Sequence, residues 1–102
     1  MAEPRIPFSK EAVIAFCDKY GVAEFSLFGS VLRDDFRPDS DVDVLVAFKH
    51  DSPGITFENL PDMLDELAEI FGREVDLVER RRVTNPYKRF HILTTRQVVH
   101  AA

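Results

Sequence analysis

The chain has 102 residues, with 18 Asp or Glu against 13 Lys or Arg, a formal net charge of -5 at pH 7. This length predicts one domain, residues 1–102, and the negative balance argues against direct nucleic-acid binding. One cysteine, Cys17, excludes an internal disulfide and points to a reducing compartment, the cytoplasm. No apolar run approaches the ~20 residues that cross a bilayer, and MAEPRIPFSK has no signal-peptide core, so neither membrane nor export is expected.

The first helix is expected to start at Ser9, a good N-cap, with Phe8 and Val13 placed as a hydrophobic staple. Val13, Phe16, Cys17 and Tyr20 form its apolar stripe, and Gly21 can end it. On that stripe Cys17 reads as core rather than as a nucleophile. VAEFSLF, 22–28, reads as the first strand, and Gly29-Ser30 then opens a short helical turn through about Asp35. DVDVLVAF, 41–48, is the second strand, and a loop with Pro53 and Gly54 follows it. A second long helix is expected from about Phe57 to Phe71, with Leu60, Leu64, Leu67, Ala68 and Phe71 along one face. REVDLVE, 73–79, is the third strand. Asn85-Pro86 signals another helix start, PYKRFHIL gives one or two turns, and Thr94 to Ala102 is read as a last short helix. Strands alternating with helices predict an α/β fold, a small mixed sheet of three to four strands flanked by helices.

Side chains on a strand alternate faces, so Asp41 and Asp43 lie together, opposite Val42, Val44 and Val46. Two like charges roughly 6–7 Å apart repel unless a cation sits between them. Oxygen ligands suit Mg²⁺ or Mn²⁺. In the third strand Asp76 faces away from Val75 and Leu77, so on a neighbouring strand it can join the first two acids. Three such carboxylates can hold two divalent ions, one activating a hydroxyl and one neutralising a leaving pyrophosphate. Asp-x-Asp alone also reads as a solvated strand start. A calcium loop beginning at Asp39 is excluded, because Val44 stands where Gly is needed and His50 where Glu is needed.

Ahead of the acids, Gly29-Ser30 sits at a strand-to-helix junction, where free N–H groups and a partial positive charge attract phosphate. Gly29 admits close backbone approach, Ser30 offers a hydroxyl, and Arg33 can clamp phosphate or hold an acid. A Walker A loop is absent. Alone, Gly-Ser before a helix also reads as a turn and a cap.

In combination, Gly29-Ser30, Asp41-x-Asp43 and Asp76 resemble the nucleotidyltransferase superfamily that includes DNA polymerase β. "GSVLRDDFRPDSDVDVLV" and "NPYKRFHIL" are similar to the minimal nucleotidyltransferases (MNT), the MntA-type antitoxins of HEPN/MNT pairs. The resemblance spans residues 10–100 or so and implies a polymerase β-like fold. It implies ATP as substrate and two Mg²⁺ or Mn²⁺ ions. Gly29 and Ser30 then bind the triphosphate, Asp41 and Asp43 ligate both metals, and Asp76 ligates the catalytic metal and helps deprotonate the hydroxyl. Ser40 matches the serine before the first acid, with local structure as its expected duty. The implied partner is a HEPN ribonuclease toxin, which the antitoxin silences by transferring AMP to a hydroxyl side chain, with a hetero-oligomer possible. The alternative is a non-catalytic nucleotide-binding antitoxin that acts by occlusion. Transfer to a small molecule is a third reading, disfavoured because no second domain is expected to hold the acceptor.

Three features are left outside that scheme. Glu79-Arg80-Arg81-Arg82 reads as a solvated strand exit, or as a contact for phosphate or an acidic partner. His50, His91 and His100 lack zinc-ligand spacing. Phe48, Phe57, Phe90 and Ile92 are read as buried, with a partner interface as the alternative.

Overall fold

The computed structural model describes residues 6–33, 37 and 40–102. Helix α1, Lys10–Tyr20, begins as its cap predicts, with Ser9 Oγ accepting the Ala12 N–H at 3.2 Å, and Gly21 ends it at φ 70°. Strand β1 is Val22–Phe28 and β2 is Val42–Phe48, so Asp41 stands one residue before the strand expected to contain it. Between them a 3₁₀ turn covers Gly29–Leu32; the expected continuation to Asp35 lies outside the described residues.

Helix α2 is Leu60–Phe71, shorter at its start than expected. A reciprocal turn precedes it: Thr56 N–H donates to Asn59 Oδ1 at 2.8 Å, and Asn59 N–H to Thr56 Oγ1 at 3.1 Å. Phe57, in that turn, is 99% exposed, against the expectation of burial. Strand β3 is Val75–Glu79 and α3 is Pro86–Thr95. The expected last helix is not formed: Gln97–Ala101 is strand β4. Its β-branched pair Val98-Val99 suits a strand, and the free side of β1 supplies backbone partners that an isolated short helix would lack. Among the described residues no helix is long and apolar enough to cross a membrane.

The sheet order is β3-β2-β1-β4. β2 and β3 are parallel, and the other two pairs antiparallel, so the sheet is mixed as expected. One face carries the core. Val42, Val44, Val46, Phe25 and Leu27 meet Val13, Phe16 and Cys17 of α1 and Met63, Leu67 and Phe71 of α2. Phe25 stacks on Phe71 at 6.3 Å and takes Phe16 edge-on at 6.0 Å. Each such side chain contributes roughly 1.5–3 kcal/mol by leaving water. The other face bears Asp43 and Leu45 and is crossed by α3, whose Ile92 is buried beside Leu45. Phe90 of α3 is 71% exposed, so the expectation of burial holds for Ile92 and not for Phe90. Glu79 is buried and pairs with Arg81 and Arg82, so the run after β3 is not simply a solvated exit.

Candidate active site

The antiparallel register sets Phe28 opposite Asp43, so the chain leaving β1 turns beside that carboxylate. Gly29 makes the turn at φ 76°, and a β-carbon there would overlap Asp43 Oδ2. Val31 and Leu32 are buried and anchor the turn from behind. Ser30 is half-buried within it, and its carbonyl accepts the Arg33 N–H at 2.9 Å.

On the other side of β2 the parallel register sets Asp76 directly opposite Asp43. Opposed residues of neighbouring strands project to one face, about 4.8 Å apart. The Val42 N–H donates to Glu74 O at 3.0 Å and keeps Asp41 beside the start of β3. Asp43 is half-buried, whereas Asp41 and Asp76 are exposed. Asp41 and Asp76 also line a cleft of about 350 Å³ with Asp65 and Glu74.

The Asp43 carboxyl is held above its ordinary range, first by burial, then by the charges of Asp76 and Asp41; Arg33 and Lys88 pull it the other way. Asp43 therefore feels the charges of both other acids. Among the described residues no three His, Cys, Asp or Glu side chains converge tightly enough to form a finished metal cage. The donor set still fits a divalent cation: it is all oxygen, and the repulsion on Asp43 is what such an ion relieves.

Two expected nucleotide residues have different surroundings. Arg33 lies at the site, where its charge acts on Asp43. Ser40 closes a turn: its hydroxyl accepts the Arg37 N–H at 3.1 Å, and Arg73 donates to its carbonyl at 3.3 Å. Cys17 is 1% exposed, and burial, followed by the Asp18 charge, pushes its thiol up to about 12 despite Lys49. A neutral thiol in the core is not a nucleophile.

The chain matches the nucleotidyltransferase domain family over residues 9–99. A Methanocaldococcus jannaschii protein assigned as a protein adenylyltransferase is 34% identical over 70 residues, 69% of this chain and 69% of its own. The protein adenylyltransferase MntA of Thermococcus cleftensis is 39% identical over 61 residues, 60% of this chain and 59% of its own. A solved structure described as a minimal nucleotidyltransferase superposes with a TM-score of 0.68 at 34% identity, covering 86% of each chain. A tri-AMPylated Shewanella oneidensis HEPN toxin in complex with MNT antitoxin gives 0.63 at 18% identity, over 91% of this chain and 70% of that one. A toxin–antitoxin structure with AMP-PNP gives 0.71 at 18% identity, over 92% and 74%. At those lower identities the likeness is one of fold. With its acids and glycine turn at one end of that fold, the chain belongs to the nucleotidyltransferase domain family and is a transferase.

Proposed function

We propose that this protein transfers AMP from ATP to a hydroxyl side chain of a cognate HEPN toxin, and so acts as its antitoxin. The observation that carries the reading is the register that opposes Asp43 to Asp76 while Gly29 packs against Asp43. Phosphate-binding backbone and acids thereby meet at one end of the sheet. The relatives assigned as protein adenylyltransferases and the fold shared with toxin-bound MNT antitoxin support the same reading.

In this mechanism Gly29 and Ser30 bind the triphosphate, and Asp41, Asp43 and Asp76 hold two Mg²⁺ or Mn²⁺ ions. When bound, those ions neutralise the polyphosphate and lower the pKa of the attacking hydroxyl. Asp76, exposed on the edge strand, accepts the hydroxyl proton and passes it to water. The acceptor oxygen bonds to the α-phosphorus, the bond from that phosphorus to the bridging oxygen breaks, and diphosphate leaves. The balance is ATP plus a protein hydroxyl giving an AMP ester, diphosphate and a proton. Each AMP adds one negative charge, which repels RNA phosphates near a ribonuclease site.

Occlusion without transfer is the second reading, favoured by the open arrangement of Asp41 and Asp76. The test is the intact mass of a candidate HEPN toxin, after incubation with this protein, ATP and Mg²⁺. Mass gains in whole AMP units are expected; an unchanged mass with the toxin nonetheless silenced selects occlusion.

A further inference from the structure

A cleft of about 340 Å³ opens at the carboxyl ends of the parallel strands β2 and β3, between Phe48, Lys49, Gly54, Glu79, Arg80 and Arg89. That volume falls within the ~300–1,000 Å³ of small-molecule sites. The cleft is separate from the acid site: Phe48 lies at the other end of β2 from Asp43, about 16 Å along the strand. The loop that walls it is fixed. Ser52 Oγ donates to Tyr20 O at 2.9 Å and accepts the Gly54 N–H at 3.1 Å, while Asn59 Nδ2 donates to Gly54 O at 2.9 Å. Gly54 is buried at φ 70°, and a β-carbon there would stand 3.5 Å from both Glu79 Oε1 and Arg81 Nη2.

Positive charge collects here against the balance of the chain. Lys49, Arg80, Arg81 and Arg89 surround one carboxylate, in a protein of net charge -5. Glu79 is shared between Arg81 and Arg82, and Glu24 between Arg80 and Arg96. Arg89 donates to the carbonyls of Arg80 and Val83, at 2.8 and 3.2 Å, which hold it without neutralising it. Among the described residues no carboxylate pairs with Lys49 or Arg89. Glu79 carries a second signal. Its side chain is 2% exposed, yet among the described residues nothing donates to Oε1, the Arg82 Nε lying 3.9 Å away. A buried carboxylate oxygen calls for a donor.

We propose that this cleft binds a small phosphate ester that also carries hydroxyl donors, the chemistry of a sugar phosphate or a nucleotide. Lys49, Arg80 and Arg89 take the phosphate, through charge-assisted hydrogen bonds. Glu79 Oε1 accepts an O–H of the same ligand, which supplies the missing donor. The site stands apart from nucleotidyl transfer, and its failure leaves that reading intact.

The test is amide NMR of the full chain in EDTA, titrated in turn with ribose 5-phosphate, AMP, ribose and inorganic phosphate. At least one of the two esters is expected to shift the amides of Lys49, Gly54 and Arg81 and to leave those of Gly29 and Ser30 in place. Ribose and inorganic phosphate are each expected to bind at least about tenfold more weakly, because each lacks one half of the chemistry. Lys49→Ala, at an exposed position, is expected to weaken the ester about tenfold. Lys10→Ala removes an equal charge from the start of α1 and is expected to change it less than about twofold. Shifts centred on Gly29, or no shifts with either ester, overturn the site. Inorganic phosphate binding as tightly as the ester overturns the role of Glu79 and leaves an adventitious ion only. Tighter binding of a short single-stranded RNA at the same amides assigns the cleft to a nucleic-acid backbone and overturns the small ligand.

Discussion

A β-carbon on Gly29 would overlap Oδ2 of Asp43, so the Gly29-Ser30 turn and the Asp43 carboxylate are packed against each other. Two demands therefore meet on one residue. The turn needs φ 76°, where side chains are strained, and the carboxylate needs the space a side chain would fill. Gly29→Ala is expected to cost about 1–3 kcal/mol of stability. It is also expected to lower transfer more than Ser30→Ala, which removes one hydroxyl and about 1–3 kcal/mol of phosphate binding. Urea melts and turnover of both variants check this; a Gly29→Ala protein with parental turnover would refute the packing argument.

Much of this arrangement was legible in the chain, because strand alternation is a strict period. Val42, Val44 and Val46 announced one buried face, and the structure buries all three; the opposite face carries Asp43 but also the buried Leu45. The closeness of Gly29 to Asp43 was not legible, since it depends on the register of β1 against β2, which no local pattern encodes. The same limit explains β4. QVVHA is five residues long, and its strand form comes from pairing with β1, far away in sequence.

Asp43 links stability to pH. Burial, then Asp76 and Asp41, raise its carboxyl above the ordinary value of 3.8, so the folded, metal-free protein keeps that proton to higher pH than the unfolded chain. Between the ordinary and the raised value the folded state binds more protons, and stability falls as pH rises through this window. Asp43→Asn removes the loss. It is expected to be more stable than the parent near neutral pH in EDTA, and its stability should vary less with acidification. Urea midpoints from about pH 4 to about pH 7 measure both. A variant less stable than the parent near pH 7 contradicts the assignment.

Cys17 should be nearly inert in the folded protein. Its thiol is buried in the core and pushed up to about 12, so little thiolate exists near pH 8 and reagents lack access. Labelling with iodoacetamide is expected to be slow in buffer and fast in denaturant. Rapid labelling of the native state would show the α1 face of the core to be open.

Catalysis and occlusion differ in what the acids are for. If transfer silences the toxin, removing Asp41 and Asp43 together takes away the carboxylates proposed to carry both ions, while the core face of β2 is untouched because both side chains point away from Val42, Val44 and Val46. The Asp41→Ala, Asp43→Ala protein should then fold, since it also loses the repulsion that burdens Asp43, yet leave the toxin unmodified and active. Toxin treated with the parent protein, ATP and Mg²⁺ should stay inactive after this protein is removed, because the AMP ester is covalent. Occlusion predicts the reverse on both counts: the double variant silences as well as the parent, and activity returns on separation. Ribonuclease assays on toxin repurified from each mixture, with intact mass measured on the same samples, decide between them; equal silencing by the double variant without added mass would end the enzyme reading.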